Sequence, residues 1–413
     1  MKLTINTSII QSSLATAVRA IPTRQTHLAQ SCLVLTANAA SQKLEVKAFN
    51  FALGIETQGD CHITIGGAIT LPAKLFNAAI SGLPPGEIDI LAENNEATIT
   101  YATGRCKIRG ISDIEDFPQI PDVADECTSI SMPGTLLKLA IGSTLFAASH
   151  DDTKQVLCGI HFSFTKTAWE AAATDSHRLA IAWGNIAELG NTLKNECAVT
   201  IPYQTFIELE KILGLCPDNS NCSISLDDSI VVFDLPNVKV TSRLLEGQYP
   251  AYRTLLPRSF NHSFVADKGI FTEALKRTSF INQNQPTVCQ FEESHAYIFS
   301  ESTEIGSAVE KIPLKADSTT SKMTIAFNSK YLGDCFRHIP TDEVCIKANQ
   351  PTYPVVFYPV GGIIDSCILV MPVQLRSVNE AVPVASETSK EPISALPSQK
   401  EQKTTKKAKK VFA

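Results

Sequence analysis

Two sequence signatures recur three times along the chain, in the same order each time. The first is a short strand that runs into an amphipathic helix: KLTINTSIIQSSLATAVRAI, then SISMPGTLLKLAIGSTLFAA, then HSFVADKGIFTEALKRTSFI. Its corresponding apolar residues are Ile10, Leu137 and Phe271, followed one turn later by Leu14, Ile141 and Leu275. A spacing of about 130 residues is too long for a solenoid repeat, so the pattern predicts three domains of one fold.

The second signature is a strand, a polar break and another helix, in AITLPAKLFNAAISGLP, AVTIPYQTFIELEKILGLCP and KMTIAFNSKYLGDCFRHIP. Leu71, Ile201 and Ile325 correspond in these segments, and each segment closes on a proline, which stops a helix. Between the helices, segments such as KLEVKAFNFALGIET alternate apolar and polar residues, as antiparallel strands with one buried face do. The predicted fold class is therefore α+β, with two helices on antiparallel sheet in each of three tandem domains.

Polar segments near residues 121–127 and 255–261 mark the domain boundaries. We place the domains at 1–125, 126–257 and 258–375. Residues 376–413 are rich in Ser, Thr, Pro, Lys and Glu, so we expect a disordered tail. Its basic end fits either a solvated tail or a weak contact with nucleic-acid phosphates. The clustered lysines are Lys403, Lys406, Lys407, Lys409 and Lys410.

Charge is unevenly distributed along the chain. The whole sequence has 36 Lys and Arg against 42 Asp and Glu, and the last 38 residues hold eight of the basic and four of the acidic ones. This leaves 28 basic and 38 acidic residues in 1–375, a net charge of −10. An acidic body argues against a protein that coats nucleic acid by charge alone, but it allows a local basic lining.

Twelve cysteines occur at irregular intervals with no C-x-x-C pair, mostly within apolar, strand-like runs. Reduced cysteines used as small core residues explain this pattern better than disulfides or zinc ligands. The sequence has no run of eighteen apolar residues and no signal-peptide pattern. We therefore expect a cytoplasmic protein with no membrane contact and no cofactor.

The stretch ATDSHRLA places Asp175, Ser176 and His177 side by side, which are the three residue types of a hydrolytic triad. Adjacent side chains diverge, and the members of a triad usually come from separate parts of the chain. The Gly-x-Ser-x-Gly elbow is also missing. The cluster therefore does not predict catalysis and needs another explanation.

Several long motifs carry a family resemblance. TDSHRLA in the second unit, KQVLCGIHF before it, LEGQYPAYRTLLP at the junction with the third unit and the ending ILVMPVQL resemble the bacterial DNA polymerase III β subunit family, the sliding clamps. The resemblance covers essentially residues 1–375, and MPVQLRS is most similar to cyanobacterial members. The family usually has glycine where this chain has Ser176.

The resemblance implies a non-catalytic processivity factor. Its members close as a six-domain ring in a head-to-tail homodimer and encircle double-stranded DNA without reading its sequence. The implied protein partners are the DNA polymerase III α subunit, the clamp loader and other proteins with clamp-binding motifs. In the family, an edge strand of the first domain meets one of the third domain. On that basis we assign Cys106 and Ile108 to one side of the dimer interface and Phe280 and Ile281 to the other.

The resemblance also places the helices on the inner surface of the ring. The residues expected to face DNA are Arg19, Arg24, Lys74, Lys138, Lys211, Lys276, Arg277, Lys330 and Arg337. Phosphate contacts without base readout allow a protein to slide along DNA. The family's Arg-Pro-Thr-Leu-Pro loop reads RQTHLAQ here, Arg24 to Gln30, and the loss of both prolines predicts a less rigid loop.

In the family, the TDSHRL segment lines a pocket between the second and third domains that receives short peptide motifs. The residues on pocket positions are Leu157, Thr174, Ser176, His177, Arg178, Leu179, Pro250, Thr254, Leu255, Thr352, Pro354, Val370, Met371, Pro372, Val373 and Leu375. Their apolar members form a cleft suited to peptide anchoring. We expect His177 and Arg178 to supply donors at the rim, although buried polar residues also serve purely structural networks. Gln374 replaces a commonly basic residue, which weakens attraction for acidic peptides.

Two other functions stay open. An enzyme acting on DNA needs a carboxylate cluster or a metal site, and acidic pairs such as Asp151-Asp152, Asp227-Asp228 and Glu292-Glu293 have no evident third ligand. A clamp-like paralogue could instead act as an interaction scaffold outside replication, because the chain has a basic tail and an altered RQTHLAQ loop.

Overall fold

The computed structural model describes residues 1–24, 27–111, 117–124, 126–191, 193, 195–281, 286–302, 304–316 and 322–374. Leu375 and the predicted disordered tail, residues 376–413, lie outside the described residues. The domain boundaries proposed above stay predictions.

Each of the three units contains two α-helices, as the two signatures predict. The helices are α1 (Thr7–Ala17), α2 (Ala73–Ser81), α3 (Gly134–Thr144), α4 (Tyr203–Leu213), α5 (Lys268–Ser279) and α6 (Ser329–His338). None of these helices is long and apolar enough to cross a membrane.

Twenty-six described strands accompany the helices. In the first unit they are β1 (Lys2–Asn6), β2 (Cys32–Asn38), β3 (Lys43–Phe49), β4 (Leu53–Asp60), β5 (His62–Ile65), β6 (Gly67–Pro72), β7 (Glu87–Glu93), β8 (Glu96–Tyr101) and β9 (Gly104–Arg109). In the second they are β10 (Thr128–Pro133), β11 (Gly159–Phe164), β12 (Ala168–Thr174), β13 (Arg178–Asn185), β14 (Cys197–Pro202), β15 (Asn221–Leu226), β16 (Ile230–Leu235) and β17 (Val238–Arg243). In the third they are β18 (His262–Asp267), β19 (Pro286–Phe291), β20 (His295–Ser302), β21 (Gly306–Pro313), β22 (Lys315–Ala316), β23 (Met323–Asn328), β24 (Glu343–Ala348), β25 (Val355–Pro359) and β26 (Asp365–Val370).

The first helix of each unit begins at an equivalent place. Ile10, Leu137 and Phe271 are each the fourth residue of α1, α3 and α5, and all three are fully buried. In α1 and α5 the helix starts where a polar side chain accepts a backbone N–H: Asn6 accepts from Ser8, and Asp267 from Ile270. The first signature therefore predicted the helix register correctly.

The alignment of the second signature was wrong by two residues in the third unit. Leu71 and Ile201 each lie two residues before a helix, and the residue that does so before α6 is Phe327, not Ile325. Strand side chains on one face repeat every two residues, so Ile325 and Phe327 share a face and both are buried. A shift of two residues therefore leaves the apolar pattern unchanged and cannot be detected from it.

Two sheets cross from one unit to the next. The eight-stranded sheet has the order β10-β15-β16-β17-β4-β3-β2-β6, so β17 of the second unit pairs antiparallel with β4 of the first, with Val240 opposite Ile55. The nine-stranded sheet has the order β14-β11-β12-β13-β26-β25-β24-β18-β22, and Ile368 of β26 lies opposite Ala180 of β13. Backbone hydrogen bonds therefore join each unit to the next.

The other two sheets each belong to one unit. In the five-stranded sheet, β5-β1-β7-β8-β9, the last strand has a neighbour on one side only. In the four-stranded sheet, β21-β20-β19-β23, the first strand is in the same position. Within the described chain, β9 and β21 thus each expose one row of backbone donors and acceptors.

The core lies between the helices and the sheets. Phe271 of α5 and Phe336 of α6 are both fully buried and stack with their ring centroids 4.0 Å apart. Cys289 and Cys335 are fully buried beside such residues, and burial raises the pKa of both thiols. These cysteines serve as small apolar core residues, as the sequence pattern suggested.

Candidate functional site

The DSH segment forms a tight turn between β12 and β13. The carboxylate oxygen Oδ1 of Asp175 accepts the backbone N–H of His177 at 2.9 Å and of Arg178 at 3.0 Å. The Thr174 hydroxyl donates to the Arg178 carbonyl at 2.6 Å. The aspartate thus closes the turn and does not orient the imidazole, so the segment has none of the contacts of a hydrolytic triad. We call Asp175–His177 the pocket turn.

Arg178 has a different role from the one expected. Its side chain is 6% exposed, and its Nε and Nη1 donate to Asp175 at 3.0 Å and to Asp334 of α6 at 2.8 Å. Its guanidinium lies over the rings of Phe146 and Tyr331, 5.3 and 4.8 Å from their centroids. These contacts make Arg178 a structural link between the second and third units, and not a free donor at the rim.

The apolar members of the predicted pocket separate into a buried floor and an exposed rim. Leu157 is 7% exposed, Leu179 1% and Val370 fully buried, so these three belong to the core. Leu157 and Leu179 pack in a cluster with Tyr249 and Tyr252 of the linker between β17 and β18. The side chains that can meet a ligand directly are Leu255, Met371 and Val373, which are 52%, 39% and 36% exposed. We call these three the groove rim.

Backbone hydrogen bonds hold the rim in place. Met371 donates its N–H to the His177 carbonyl at 2.9 Å, and Val373 donates to Ala326 at 2.8 Å. The chain beyond β26 therefore runs beside the pocket turn and then along β23. Other predicted pocket residues flank it with partial or full exposure: Ser176, His177, Pro250, Thr254, Thr352, Pro354 and Pro372. Thr174 is buried, and Leu375 is outside the described residues.

A buried polar network fixes the linker that carries Leu255. Glu170 of β12 is 5% exposed and accepts hydrogen bonds from the Tyr252 hydroxyl and the Arg253 guanidinium. His161 stacks on Tyr249 with ring centroids 4.5 Å apart, and burial lowers the pKa of His161 to about 4. The linker motif EGQYPAYRTLLP is thus held down through its two tyrosines and its arginine.

The cations predicted to face DNA fall into two groups. Arg19 and Lys211 both pair with Glu208, at 3.2 and 2.9 Å, and the other pairs are Lys276–Glu273, Arg277–Glu310 and Arg337–Asp334. Arg24, Lys74, Lys138 and Lys330 are exposed and form no ion pair with any described residue. The six helices together carry eight Lys or Arg and four Asp or Glu, against the net negative charge of residues 1–375.

The altered loop has its own restraints. Residues 25 and 26 lie outside the described part, but the next five are held by a capping box. His27 Nδ1 accepts the Ala29 N–H at 3.3 Å, and the Gln30 side chain accepts the His27 N–H at 3.2 Å. His27 also contacts Phe51 edge to face. These contacts restrain the described part of the loop, and its lower rigidity stays a prediction.

The predicted interface residues lie in edge strand β9 or near edge strand β21. Cys106 and Ile108 are in edge strand β9, where Cys106 is half-buried and Ile108 is 6% exposed. Phe280, which is 68% exposed, and Ile281, which is 7% exposed, follow α5, whose Arg277 pairs with Glu310 of edge strand β21. Sequence reasoning missed β21 itself, although the repeat could have located it, because β4 and β13 occupy the same place in their units.

The acidic pairs have structural roles. Asp151 caps the turn at Thr153, Asp227 accepts the backbone N–H groups of Ser229 and Ile230, and Glu292 pairs with Lys322. No group of three or more His, Cys, Asp or Glu side chains suited to a metal occurs among the described residues. These pairs therefore give no support to metal-dependent chemistry on DNA.

A separate cleft lies elsewhere on the nine-stranded sheet. It measures about 430 Å³ and is lined by Trp169, Trp183 and Ile363, among others, at the end of the β13–β26 pair opposite the pocket turn. The groove at the pocket turn is the candidate functional site. Its candidacy rests on its exposed apolar rim and its rigid base, and not on enclosed volume.

Three α+β units joined by shared sheets, with basic residues on their helices and an apolar groove at a boundary, define a processivity clamp. The DNA polymerase III beta subunit models match residues 1–121 for the N-terminal domain, 131–251 for the central domain and 253–372 for the C-terminal domain. The chain belongs to this family.

Named relatives agree with this assignment. A beta sliding clamp of Synechococcus elongatus is 34% identical over 91% of this chain and all of its own length, and that of Synechocystis is 33% identical over the same shares. The crystal structure of the DNA polymerase beta subunit of Streptococcus pyogenes superimposes with a TM-score of 0.84 at 25% identity, covering 91% of this chain and all of that one. The chain is thus a non-catalytic bacterial DNA sliding clamp, a family whose members form a ring as a homodimer. A separate scaffold role is not favoured.

The pocket turn yields a stability prediction. Ser176 has a φ of +81°, a left-handed conformation that costs a residue with a Cβ about 1 kcal/mol or more. Ser176→Gly should raise the free energy of unfolding by up to about 1 kcal/mol, because glycine loses this strain but gains entropy in the unfolded chain. Thermal melting measures the change, with Ser176→Ala as the control that keeps the strain. A lower melting temperature for the glycine variant would contradict the account.

Proposed function

We propose that the ring closes by pairing β9 of one copy with β21 of the other, that the groove at the pocket turn receives partner peptides, and that the helices face DNA. The observation that carries the proposal is the repeated strand pairing at both boundaries inside the chain. At each of them, the last strand of one unit pairs with the third strand after the first helix of the preceding unit.

The repeat specifies the missing third pairing. The last strands of the units are β9, β17 and β26, and the third strands after the first helix are β4, β13 and β21. β17 pairs with β4 and β26 pairs with β13, so of these six strands only β9 and β21 have no partner from the other series within the described chain. They cannot meet within one chain without closing a three-unit ring, whereas head-to-tail pairing of two copies uses both edges and closes a six-unit ring.

The registers inside the chain also specify the register between copies. Val240 lies opposite Ile55, and Ile368 lies opposite Ala180. When the strand pairs of each unit are followed outward from the strand before the helix, Cys106 has the position in β9 that Val240 has in β17 and Ile368 has in β26. In the same way, Ala308 has the position in β21 that Ile55 has in β4 and Ala180 has in β13. Cys106 of one copy therefore faces Ala308 of the other.

Three exposed apolar residues support the same contact. Phe280 is equivalent to Phe146, whose ring stacks on His338 across the boundary inside the chain, 4.3 Å between centroids. Ile305 and Leu75 are equivalent to His177 and Tyr331, which also stack across that boundary. The side chains that lack such a contact within the described chain are Leu75, Phe280 and Ile305, and they are 58%, 68% and 68% exposed. An apolar contact between copies removes them from water.

Charge complements the apolar contact. Arg105, Lys107 and Arg109 lie along the exposed face of β9. Glu301 and Glu304 lie at the hairpin between β20 and β21, where the proposed register brings the other copy's basic strand. Opposite charges favour the right partner and register more than they add affinity.

The groove rim suits a short apolar motif. Leu255, Met371 and Val373 supply exposed apolar surface over a base fixed by Arg178 and the linker network. Binding to a base that is already ordered avoids the entropy cost of arranging it. Ligands of this groove are peptides of the DNA polymerase III α subunit, the clamp loader and other clamp-binding proteins, in the cytoplasm.

The inner face suits loose contact with duplex DNA. Arg24, Lys74, Lys138 and Lys330 are exposed and free of ion pairs with described residues, so they can meet phosphates without first breaking a pair. Contacts of this kind carry no base readout and are exchanged readily along the duplex.

The register predicts a specific cross-link. In Ala308→Cys, oxidation should join the new thiol to native Cys106 of the other copy, because opposed residues of paired strands have Cβ atoms close enough for a disulfide. Denaturing gels should show a covalent dimer. Ser307→Cys points to the other face of the strand and should not cross-link, and Cys106→Ser in the Ala308→Cys background should abolish the product. A dimer in solution that resists cross-linking in Ala308→Cys would show that the register is wrong.

The groove predicts a loss of peptide affinity on truncating its rim. The double variant Leu255→Ala and Met371→Ala should lower the affinity for a polymerase-derived peptide by about tenfold to a hundredfold, because it removes central apolar anchors. Fluorescence titration measures it, and Ile363→Ala, which is 87% exposed in the unmutated chain, is the control. Leu179 is unsuitable for this test because it is 1% exposed and its truncation would destabilise the core. Equal affinity for the double variant and the control would place the peptide site elsewhere.

A further inference from the structure

Asp334 joins two functional regions through one carboxylate. It lies on α6 with its side chain 14% exposed. Its Oδ2 accepts from Arg178 Nη1 of the second unit at 2.8 Å, and its Oδ1 accepts from Arg337 Nη1 of its own helix at 3.1 Å. Arg337 is one of the cations proposed to face DNA, and Arg178 is the residue that holds the pocket turn. The carboxylate therefore lies between the inner helix face and the base of the groove.

The same arrangement occurs at the other boundary inside the chain. Glu208 is the sixth residue of α4, as Asp334 is the sixth residue of α6. Its Oε2 pairs with Arg19 of the first unit at 3.2 Å, and its Oε1 pairs with Lys211 three residues later at 2.9 Å. Each helix thus uses one mostly buried carboxylate to bond a cation across the boundary and a cation on its own face. The equivalent residue of α2 is Ala78, which has no carboxylate.

Only the second of these boundaries leads to the pocket turn. Arg178 donates from Nη1 to Asp334 and from Nε to Asp175, so one rigid guanidinium connects the two carboxylates. Asp175 in turn accepts the backbone N–H groups of His177 and Arg178. Tyr331 of α6 lies over the guanidinium and stacks on the His177 ring, 5.8 Å between centroids. A change at Asp334 therefore reaches the turn through two sets of contacts.

We propose that Asp334, from the inner face of the third domain, is a positioning residue for peptide binding: through Arg178 it sets the geometry of the pocket turn. The proposal rests on the assignment of the groove as the peptide site. Removing the carboxylate leaves Arg178 buried with one charged partner instead of two, and a buried cation that has lost a partner moves or draws in water. The turn then loses the fixed base on which Met371 is hydrogen bonded.

The direct test is amide hydrogen exchange in Asp334→Asn, which keeps the size of the side chain. The segment spanning Asp175–Ala180 should exchange faster, by about tenfold at His177 and Arg178, because these two amides bond to the carboxylate that Arg178 holds. Glu208→Gln is the matched control: it removes the equivalent carboxylate at the other boundary and should leave exchange in this segment unchanged. A role confined to the stability of α6 would not alter amides that lie 156 residues earlier in the chain.

Peptide affinity is the second readout. Asp334→Asn should lower the affinity for a polymerase-derived peptide by about tenfold, the loss expected for one charged hydrogen bond. Glu208→Gln should bind the peptide as the unmutated clamp does. Tyr331→Leu removes the ring contacts and keeps most of the volume, and it should also lower the affinity for the peptide. This second variant decides the matter if Asp334→Asn does not fold.

The outcomes separate this inference from the assignment of the groove. If the unmutated clamp does not bind the peptide at Leu255 and Met371, the groove assignment fails. If it binds there, and both Asp334→Asn and Tyr331→Leu keep normal exchange and affinity, the groove stands and the positioning role of Asp334 is wrong. Equal loss in Asp334→Asn and Glu208→Gln would mean a general loosening of the boundaries, which also overturns the proposal.

Discussion

Antiparallel pairing between edge strands is the interaction on which the rest of the structure depends. Each unit ends in a strand that needs a neighbour, and each offers an earlier strand to receive one. Two such pairs, β17 with β4 and β26 with β13, join three similar units through the same strand register. The proposed pairing of β9 with β21 of a second copy repeats the contact that already joins the units within the chain.

The strand pairs at the two internal boundaries also explain where the functional residues lie. β13 and β26 bring the pocket turn of the second unit beside Met371 of the third, so the groove exists only because the two units share a sheet. Carboxylates on α4 and α6, Glu208 and Asp334, add a charged contact at each internal boundary. The proposed contact between copies has Ala78 at that helix position and relies on exposed apolar side chains such as Phe280.

Much of this could be predicted from sequence because it depends on periodicity and long motifs. The three-unit fold and the buried positions Ile10, Leu137 and Phe271 follow from the repeat. What failed depends on geometry that periodicity does not contain. A shift of two residues hid Phe327, since both registers bury the same face. Arg178 and its partner Asp334 are 156 residues apart in the sequence, so periodicity does not connect them. Family motifs name pocket positions, but they do not separate the buried floor from the exposed rim.

The central claim is that the chain holds DNA by closing around it. The most direct test loads the clamp on nicked circular DNA and on linear DNA with open ends, then raises the salt concentration until phosphate contacts are lost. A closed ring is retained on the circle and slides off the linear molecule, and cutting the circle releases it. Equal, salt-sensitive loss from both molecules would mean that contact with phosphates, and not encirclement, holds the protein on DNA.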